Sequence, residues 1–431
     1  MRHDDLSLWF LADPTAPRHV GQLRLVDAGK GVSLQYGDAW LRDGFPISED
    51  LVLTDIEQLP RWRHMAAGAV DDARPDRWGE RVIQYIDKPA RLSIMEYLYY
   101  AGDDRFGALG VSTSADAYVP HPKGPLPRLE QAQALSEVVH KVSAKEPIND
   151  LERKMLAAGG SFGGAKPKAL IEIAGEQWII KFFNHEPIDV PLVEHASMTL
   201  AARASITVAE TRVVPLLGEH ALVVRRYDRD GGRRIHCISA GTALRAQTVV
   251  VQEPDLGYPA LAQLLRRTGI AEDSRNLLDM QELFRRMVFN ILIDNTDDHE
   301  NNHALMTLAP TRQGRYRVAP AYDVLPTNSG QGFQEFVVGV DQRDSTLTNA
   351  MSQCELFGYT RPQAAAEVAR VIAVVDGWKD HFAQCGVSGA DIDSLAERMD
   401  GDELLKQRRS FDPGEHSVSS RPKRRRSPFE R

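Results

Sequence analysis

Asp297 and Asn302 stand in D-x-x-x-x-N spacing within the stretch Asn290-Ile-Leu-Ile-Asp-Asn-Thr-Asp-Asp-His-Glu-Asn-Asn302. A carboxylate placed this way can accept the proton of an attacking hydroxyl, and an amide oxygen five residues on can hold a divalent cation. Neither Asp294 nor Asp298 has an asparagine at that distance, so a single register fits. A further oxygen donor, Asp323, ends the short apolar stretch Tyr316-Arg-Val-Ala-Pro-Ala-Tyr-Asp323, twenty-one residues after Asn302. Val324-Leu325 follows it, where Phe-Gly is usual after such a metal-binding aspartate. Singly, an aspartate at a strand end is an ordinary turn former and an Asp/Asn cluster an ordinary helix cap.

Two signals upstream change the weighing. Gly159-Gly-Ser-Phe-Gly-Gly-Ala-Lys-Pro-Lys168 holds four glycines in six residues, which lets the backbone turn tightly and aim N–H groups at phosphate oxygens. It is not a P-loop, because Ala165 follows Gly164 where lysine is required, and it is not GxGxxG. Lys181 lies among Ile180, Phe182 and Phe183 and needs an anionic partner if it points inward. Glu194, thirteen residues on, can supply one, and a strand lysine paired with a helix glutamate anchors nucleotide phosphates in kinases. In chain order the groups are a phosphate loop, a lysine, a glutamate, a proton acceptor and a metal carboxylate. That set suits phosphoryl transfer, with ATP and Mg²⁺ as expected cofactors.

The elements that must position these groups are legible in outline. Residues 1–60 read as a small β-rich unit of short alternating segments. Residues 76–101 read as helical, with Pro75 at a helix start and Pro89 dividing the stretch. Val119–Pro127 holds four prolines and a glycine and reads as a linker. Residues 129–158 follow a helical pattern, 168–183 a hairpin, 192–204 a helix and 211–227 strands. From about 257 long helices are expected. In one of them Met280, Leu283, Phe284, Met287, Val288, Ile291 and Leu292 form a buried stripe. A β-rich lobe thus precedes a helical one, an α+β arrangement suited to holding a nucleotide between lobes. The tail 411–431 is expected to be disordered and basic.

Composition narrows the class without choosing the chemistry. At 431 residues the chain is expected to form two or three packed lobes. A net charge of −8 gives no general attraction to nucleic acid or membrane, although Arg421, Lys423, Arg424, Arg425, Arg426 and Arg431 crowd the last residues. Cys237, Cys354 and Cys385 lack CxxC spacing, which fits a reducing compartment and argues against a disulfide framework. No signal peptide or membrane span is read, so a cytoplasmic protein is expected.

A rival string overlaps the acidic cluster. His299-Glu-Asn-Asn-His303 is HExxH, a zinc-protease signature that requires both histidines on one helix face. Asp and Asn are poor helix residues outside caps, which weighs against it. Two further readings compete with a protein kinase: a catalytically silent regulator with a kinase fold, and a small-molecule kinase.

At this point the chain resembles the HipA family over nearly its whole length. The resemblance is carried by Pro75-Asp-Arg-Trp-Gly79, Asp103-Asp-Arg-Phe-Gly-Ala108, Gly163-Gly-Ala-Lys-Pro-Lys-Ala169 and Trp178-Ile-Ile-Lys181. It continues through Arg226-Tyr-Asp-Arg229, Asn295-Thr-Asp-Asp-His299 with Asn302, and Pro320-Ala-Tyr-Asp-Val-Leu-Pro326. It implies a protein-kinase-like bilobal fold with an extra N-terminal subdomain over 1–118, a nucleotide-binding lobe over 128–256 and a helical lobe over 257–410. It also implies ATP- and Mg²⁺-dependent serine/threonine protein kinase activity of a toxin. Asp297 is then the proton acceptor, Asn302 and Asp323 the metal ligands, and Lys181, with Glu194, the phosphate-binding lysine. Gly163, Gly164, Ala165, Lys166, Pro167 and Lys168 form the implied phosphate loop, and Arg225, Arg226 and Tyr227 the hinge beside adenine. Arg225 departs from the acidic residue usual there, and Asn301 from a common basic one. Ser161 matches a serine autophosphorylated in the family. The implied partners are a protein of translation such as an aminoacyl-tRNA synthetase, and a helix-turn-helix antitoxin through which DNA is met indirectly.

Overall fold

Alternating apolar residues build the first sheet from β1 (Asp5–Phe10), β2 (Arg18–Val26) and β3 (Gly31–Tyr36), all antiparallel. The fourth strand, β4 (Leu109–Ser112), returns after a long excursion to pair with β1, giving the order β3-β2-β1-β4. Four residues carry too little periodicity to announce a strand, so the β-rich unit expected over 1–60 is completed from outside that range. The computed structural model describes residues 3–159, 166–183, 186–248, 253–308 and 316–416. Inside the excursion, helices Arg77–Ile86 and Ile94–Tyr100 are separated at Pro89, as expected.

The expected helix over 129–158 is instead two, Ala132–Ser143 and Asp150–Gly159. Pro147 and the left-handed Lys145 (φ +61°) break it. Asn149 then restarts it, its Oδ1 accepting the backbone N–H groups of Leu151 and Glu152 at 2.9 Å. The linker before these helices has no regular structure, as its prolines require.

A second antiparallel sheet follows, from β5 (Lys168–Ile173), β6 (Glu176–Phe182), β7 (Thr211–Leu216) and β8 (Glu219–Arg225), in the order β5-β6-β8-β7. The β5–β6 hairpin closes on Ala174 (φ +52°) and Gly175 (φ +81°), the left-handed pair that a two-residue hairpin needs. One face, with Ala169, Ile171, Ile180 and Val223, packs on Leu135, Val139 and Leu156 of the two preceding helices and on Trp78 and Val82. The other meets the helix Val190–Arg203 through Leu222 and Val224.

A short ribbon, β9 (Arg229–Asp230) and β10 (Arg233–Arg234), leads to a third sheet that the sequence pattern does not announce. Its strands are β11 (His236–Ser239), β12 (Ala304–Thr307) and β13 (Arg317–Val318). Long helices dominate the remainder, led by Tyr258–Thr268, Arg275–Leu292 and Arg361–Val375. The stripe from Met280 to Leu292 is core, as expected. The start of the tail departs from the expectation of disorder. Phe411 packs against the core and stacks on His416, with ring centroids 5.4 Å apart, and Pro413–His416 forms a 3₁₀ turn. The basic cluster lies outside the described residues. Among those described, no helix is long and apolar enough to cross a membrane.

Two early contacts tie the first part of the chain to the later sheets. The indole N–H of Trp78 donates to the carbonyl of Lys168 at 2.7 Å in a buried setting. Asp72 accepts the backbone N–H of Ser239 at 2.8 Å and its hydroxyl at 2.7 Å. Trp78→Ala removes a filled core position together with its hydrogen bond and is expected to cost about 3–5 kcal/mol, read as a lowered urea midpoint.

Candidate active site

Lys181 sits on β6, where alternation turns its side chain toward the helix Val190–Arg203 rather than into the Ile180 and Phe182 cluster. Asp189 caps that helix by accepting the Leu192 N–H at 3.2 Å, and the helix carries Glu194 on its buried face. Lys181 Nζ lies 2.5 Å from Glu194 Oε1 and 2.8 Å from Asp323 Oδ1. Glu194 is buried and Lys181 largely so, while the Asp323 side chain keeps one edge open to the cleft. Charges drawn this far from water depend on one another for compensation. Burial opposes the lysine's charge, yet Asp323 and Glu194 raise its affinity for the proton. Burial likewise disfavours the Asp323 carboxylate, but Lys181 and then Lys168 hold its pKa far below the usual range. For Glu194 burial wins and its pKa is raised.

Asp323 has φ +58°, a left-handed conformation that aspartate tolerates better than most residues. It follows β13 by way of Ala321, whose carbonyl accepts the Ala209 N–H at 2.9 Å, so the strand end is fixed to the upper lobe. Lys168, opposite Lys181 in the β5–β6 register, is buried, and desolvation and the neighbouring ammonium lower its pKa. Asp76, at the start of the helix Arg77–Ile86, joins the same field: desolvation pushes its carboxyl up to about 6 against the pull of Lys168.

The acidic cluster is sorted by burial. Two residues after the helix Arg275–Leu292, Asp294 with φ +57° turns the chain back. Asp298 is 2% exposed and serves the loop itself: it lies 3.1 Å from His303 Nε2 and accepts a hydrogen bond from the Tyr258 hydroxyl. Asp297 points outward and is solvent-exposed. Its pKa is raised, by desolvation first, with His299 opposing and Asp323 adding to the rise. The Asp323 charge thus acts on Asp297, and a hydrogen bond from Tyr322 to the Asn301 carbonyl joins the two loops. Asn302 donates through Nδ2 to the Asp297 carbonyl at 3.2 Å, which leaves its side-chain oxygen as the atom to offer a cation. One carboxylate and one amide oxygen on adjoining loops are a donor set that fits Mg²⁺, a hard cation that takes few protein ligands beside phosphate oxygens.

HExxH is not formed as a metal site. Glu300–Asn302 is a short 3₁₀ turn, and His299 and His303 flank it in extended conformation, so they share no helix face. His303 is taken by Asp298, and Glu300 is ion-paired with Arg245 at 2.6 Å.

At the end of β8, Arg225 pairs with Glu176 at the surface. Arg226 is buried against Asp228. Tyr227 stacks on Tyr322 with centroids 5.6 Å apart. Tyr322 lies in the Pro320–Pro326 segment that carries the resemblance, but nothing in its spacing gives it a role. Its hydroxyl donates to the Asn301 carbonyl at 2.7 Å and joins the two acidic loops. Asp76 and Asp228 likewise surround the site without a spacing that singles them out. Pro167 is buried, its carbonyl accepting the Phe182 N–H at 3.3 Å, and Lys166 is exposed, 3.9 Å from Glu186. Ser161, Gly163, Gly164 and Ala165 lie outside the described residues.

A β-sheet lobe whose lysine pairs with a helix glutamate, set over a helical lobe that supplies an Asp-x-x-x-x-Asn loop, defines a kinase-like fold. Two family models match the chain: the HipA N-terminal domain over residues 15–112 and the HipA-like C-terminal domain over 160–378. The chain belongs to the HipA family. It superposes with TM-score 0.67 and 16% identity on a HipA structure from Shewanella oneidensis MR-1, solved as a complex of HipA, HipB and operator DNA. That match covers 96% of this chain and 100% of the other. A curated protein of Sinorhizobium fredii (strain NBRC 101917 / NGR234), "Putative kinase Y4dM", is 32% identical over 170 residues, 36% of this chain. The match spans 39% of that relative's length.

Lys181→Met leaves Glu194 buried without its main cation and is expected to cost about 3–5 kcal/mol in urea denaturation. Adding Glu194→Leu should recover most of the loss.

Proposed function

We propose that this chain is an ATP- and Mg²⁺-dependent serine/threonine protein kinase of the HipA toxin type. The observation that supports this most is the convergence of Lys181, Glu194, Asp323, Asn302 and Asp297 from distant parts of the sequence on one cleft. In this reading the Glu194 carboxylate orients Lys181 toward the α- and β-phosphates. Gly163, Gly164, Ala165, Lys166, Pro167 and Lys168 serve as the phosphate loop, and the backbone of Arg225, Arg226 and Tyr227 as the edge that meets the adenine. Asn302 and Asp323 would hold Mg²⁺, which when bound would neutralise charge on the transferring phosphate. Asp297 orients the acceptor hydroxyl and takes its proton as that oxygen bonds to the γ-phosphorus and the bond to the leaving ADP breaks. Asp298, its neighbour, holds the loop in register through His303 and Tyr258. The residue ranges 1–118, 128–256 and 257–410 serve as an accessory domain, a nucleotide lobe and a catalytic lobe.

The acceptor is proposed to be a seryl or threonyl hydroxyl of a translation protein, with Ser161 as an internal acceptor. A helix-turn-helix antitoxin is the proposed inhibitory partner, in line with the HipA–HipB complex of the structural relative. The competing reading is a silent regulator. It is disfavoured by a proton acceptor that stays solvent-accessible beside a filled set of phosphate and metal groups.

Radiolabelled ATP and Mg²⁺ in cell extract test the reading. Asp297→Asn is expected to lower transfer by about 10²–10⁴ with ATP binding largely kept, and full activity in that variant would remove Asp297 from the mechanism. Asp323→Ala should weaken Mg²⁺·ATP binding, and unchanged metal dependence would count against its role. Glu300→Gln should leave transfer intact. The base must be deprotonated to act, so kcat/KM should fall as pH drops through a pKa lying above the ~4 of an unperturbed aspartate. The rise comes from desolvation of Asp297 and the nearby Asp323 charge.

A further inference from the structure

The segment Asp103–Ala108, from the first part of the chain, lies against the turn that follows β8. Gly107 donates its N–H to Asp228 Oδ2 at 2.8 Å. Its φ is +71°, and a Cβ there would meet the Cys237 backbone nitrogen at 3.1 Å, so the two main chains touch directly. Arg226 grips Asp228 through Nε at 2.9 Å and Nη2 at 2.8 Å, the paired geometry that fixes orientation as well as distance. The same Nη2 donates to the Arg105 carbonyl at 2.8 Å. Arg229 repeats the pattern, donating to the carbonyls of Gly107 at 2.9 Å and Arg105 at 2.8 Å and to Asp228 Oδ2 at 3.0 Å. Arg226 and Asp228 are each 3% exposed, so the charges are desolvated and depend on these partners. Phe106 meets the Tyr227 ring edge-on, centroids 6.5 Å apart.

Arg226 and Asp228 flank Tyr227, so both neighbours of that hinge residue are held by a segment from more than a hundred positions earlier. Backbone groups bind a flat base well only when their positions are set beforehand, because ordering them on binding costs affinity. We infer that Asp228, with Arg226 and the Asp103–Ala108 turn, positions the hinge main chain for the nucleotide base, so that the first domain controls base affinity from outside the cleft. This rests on reading Arg225–Tyr227 as the base-binding edge. Asp228 is a positioning residue, since its carboxylate is spent on Gly107, Arg226 and Arg229.

The test uses the full chain with Mg²⁺ and trinitrophenyl-ATP as the displaced probe, competed by ATP and separately by inorganic tripolyphosphate. Asp228→Asn and Gly107→Ala are each expected to weaken ATP about tenfold while tripolyphosphate competes as in the parent chain. Asp228→Glu should restore part of the ATP affinity. Amide exchange over residues 225–229 should quicken in both weakened variants. Unchanged ATP affinity in either folded variant, or equal losses for ATP and tripolyphosphate, overturns the brace. If Asp228→Asn fails to fold, Gly107→Ala decides by the same two competitions. A parent chain that binds tripolyphosphate but not ATP overturns the assignment of the hinge, and one that binds neither overturns the kinase reading itself.

Discussion

Lys181 is where the two lobes are joined by charge. Its ammonium faces a glutamate from the helix beside its own sheet and an aspartate from the far lobe, both within 3 Å. Charges so largely desolvated tolerate no missing member, so the β6 register, the angle of the helix Val190–Arg203 and the end of β13 are all constrained by one nitrogen atom. The rest of the site hangs from the same point. Asp323 leads through Tyr322 to Asn301, and from there to the loop that carries Asp297 and Asn302.

This arrangement accounts for the division of labour among the acidic residues. Asp298 and Asp294 are buried, the first held by His303 and Tyr258 and the second at a left-handed turn. Both spend their carboxyl groups on shaping the loop. Asp297 is left exposed with a raised pKa, beside an asparagine oriented by its own carbonyl. One short stretch therefore supplies both the frame and an exposed carboxylate. The same frame disposes of the HExxH coincidence, since the loop it builds is extended at both histidines.

Legibility in the sequence divides along physical lines. Groups bound to local pattern are readable there: the β5–β6 hairpin, the helix with Glu194, the apolar stripe before the acidic loop, and the spacing of Asp297 and Asn302. Pairings across long separations are not. β4 is four residues long and finds β1 a hundred positions away, and β11 finds β12 across an entire helical region. The break between Ser143 and Asp150 is marked by Pro147 and by the left-handed Lys145, whose backbone conformation no pattern of residue types announces. Tyr322 and Asp228 are hidden for another reason. Each sits beside a residue with an obvious role, and only the fold shows that it acts on its neighbour's surroundings. Motif resemblance carries the assignment of the hinge, which no periodicity can supply.

The order in which these contacts lie along the chain bears on biosynthesis. The first sheet has all its strands once residue 112 has left the ribosome, and domains that emerge first generally fold first. Its seam with the turn after β8 must wait for Arg226 to Cys237, and the lysine triad for Asp323. A nascent chain thus displays the exposed edge formed by Asp103–Gly107 for the time needed to translate more than a hundred further codons. During that interval Asp297, Asn302 and Asp323, on which the proposed chemistry rests, are still to be made.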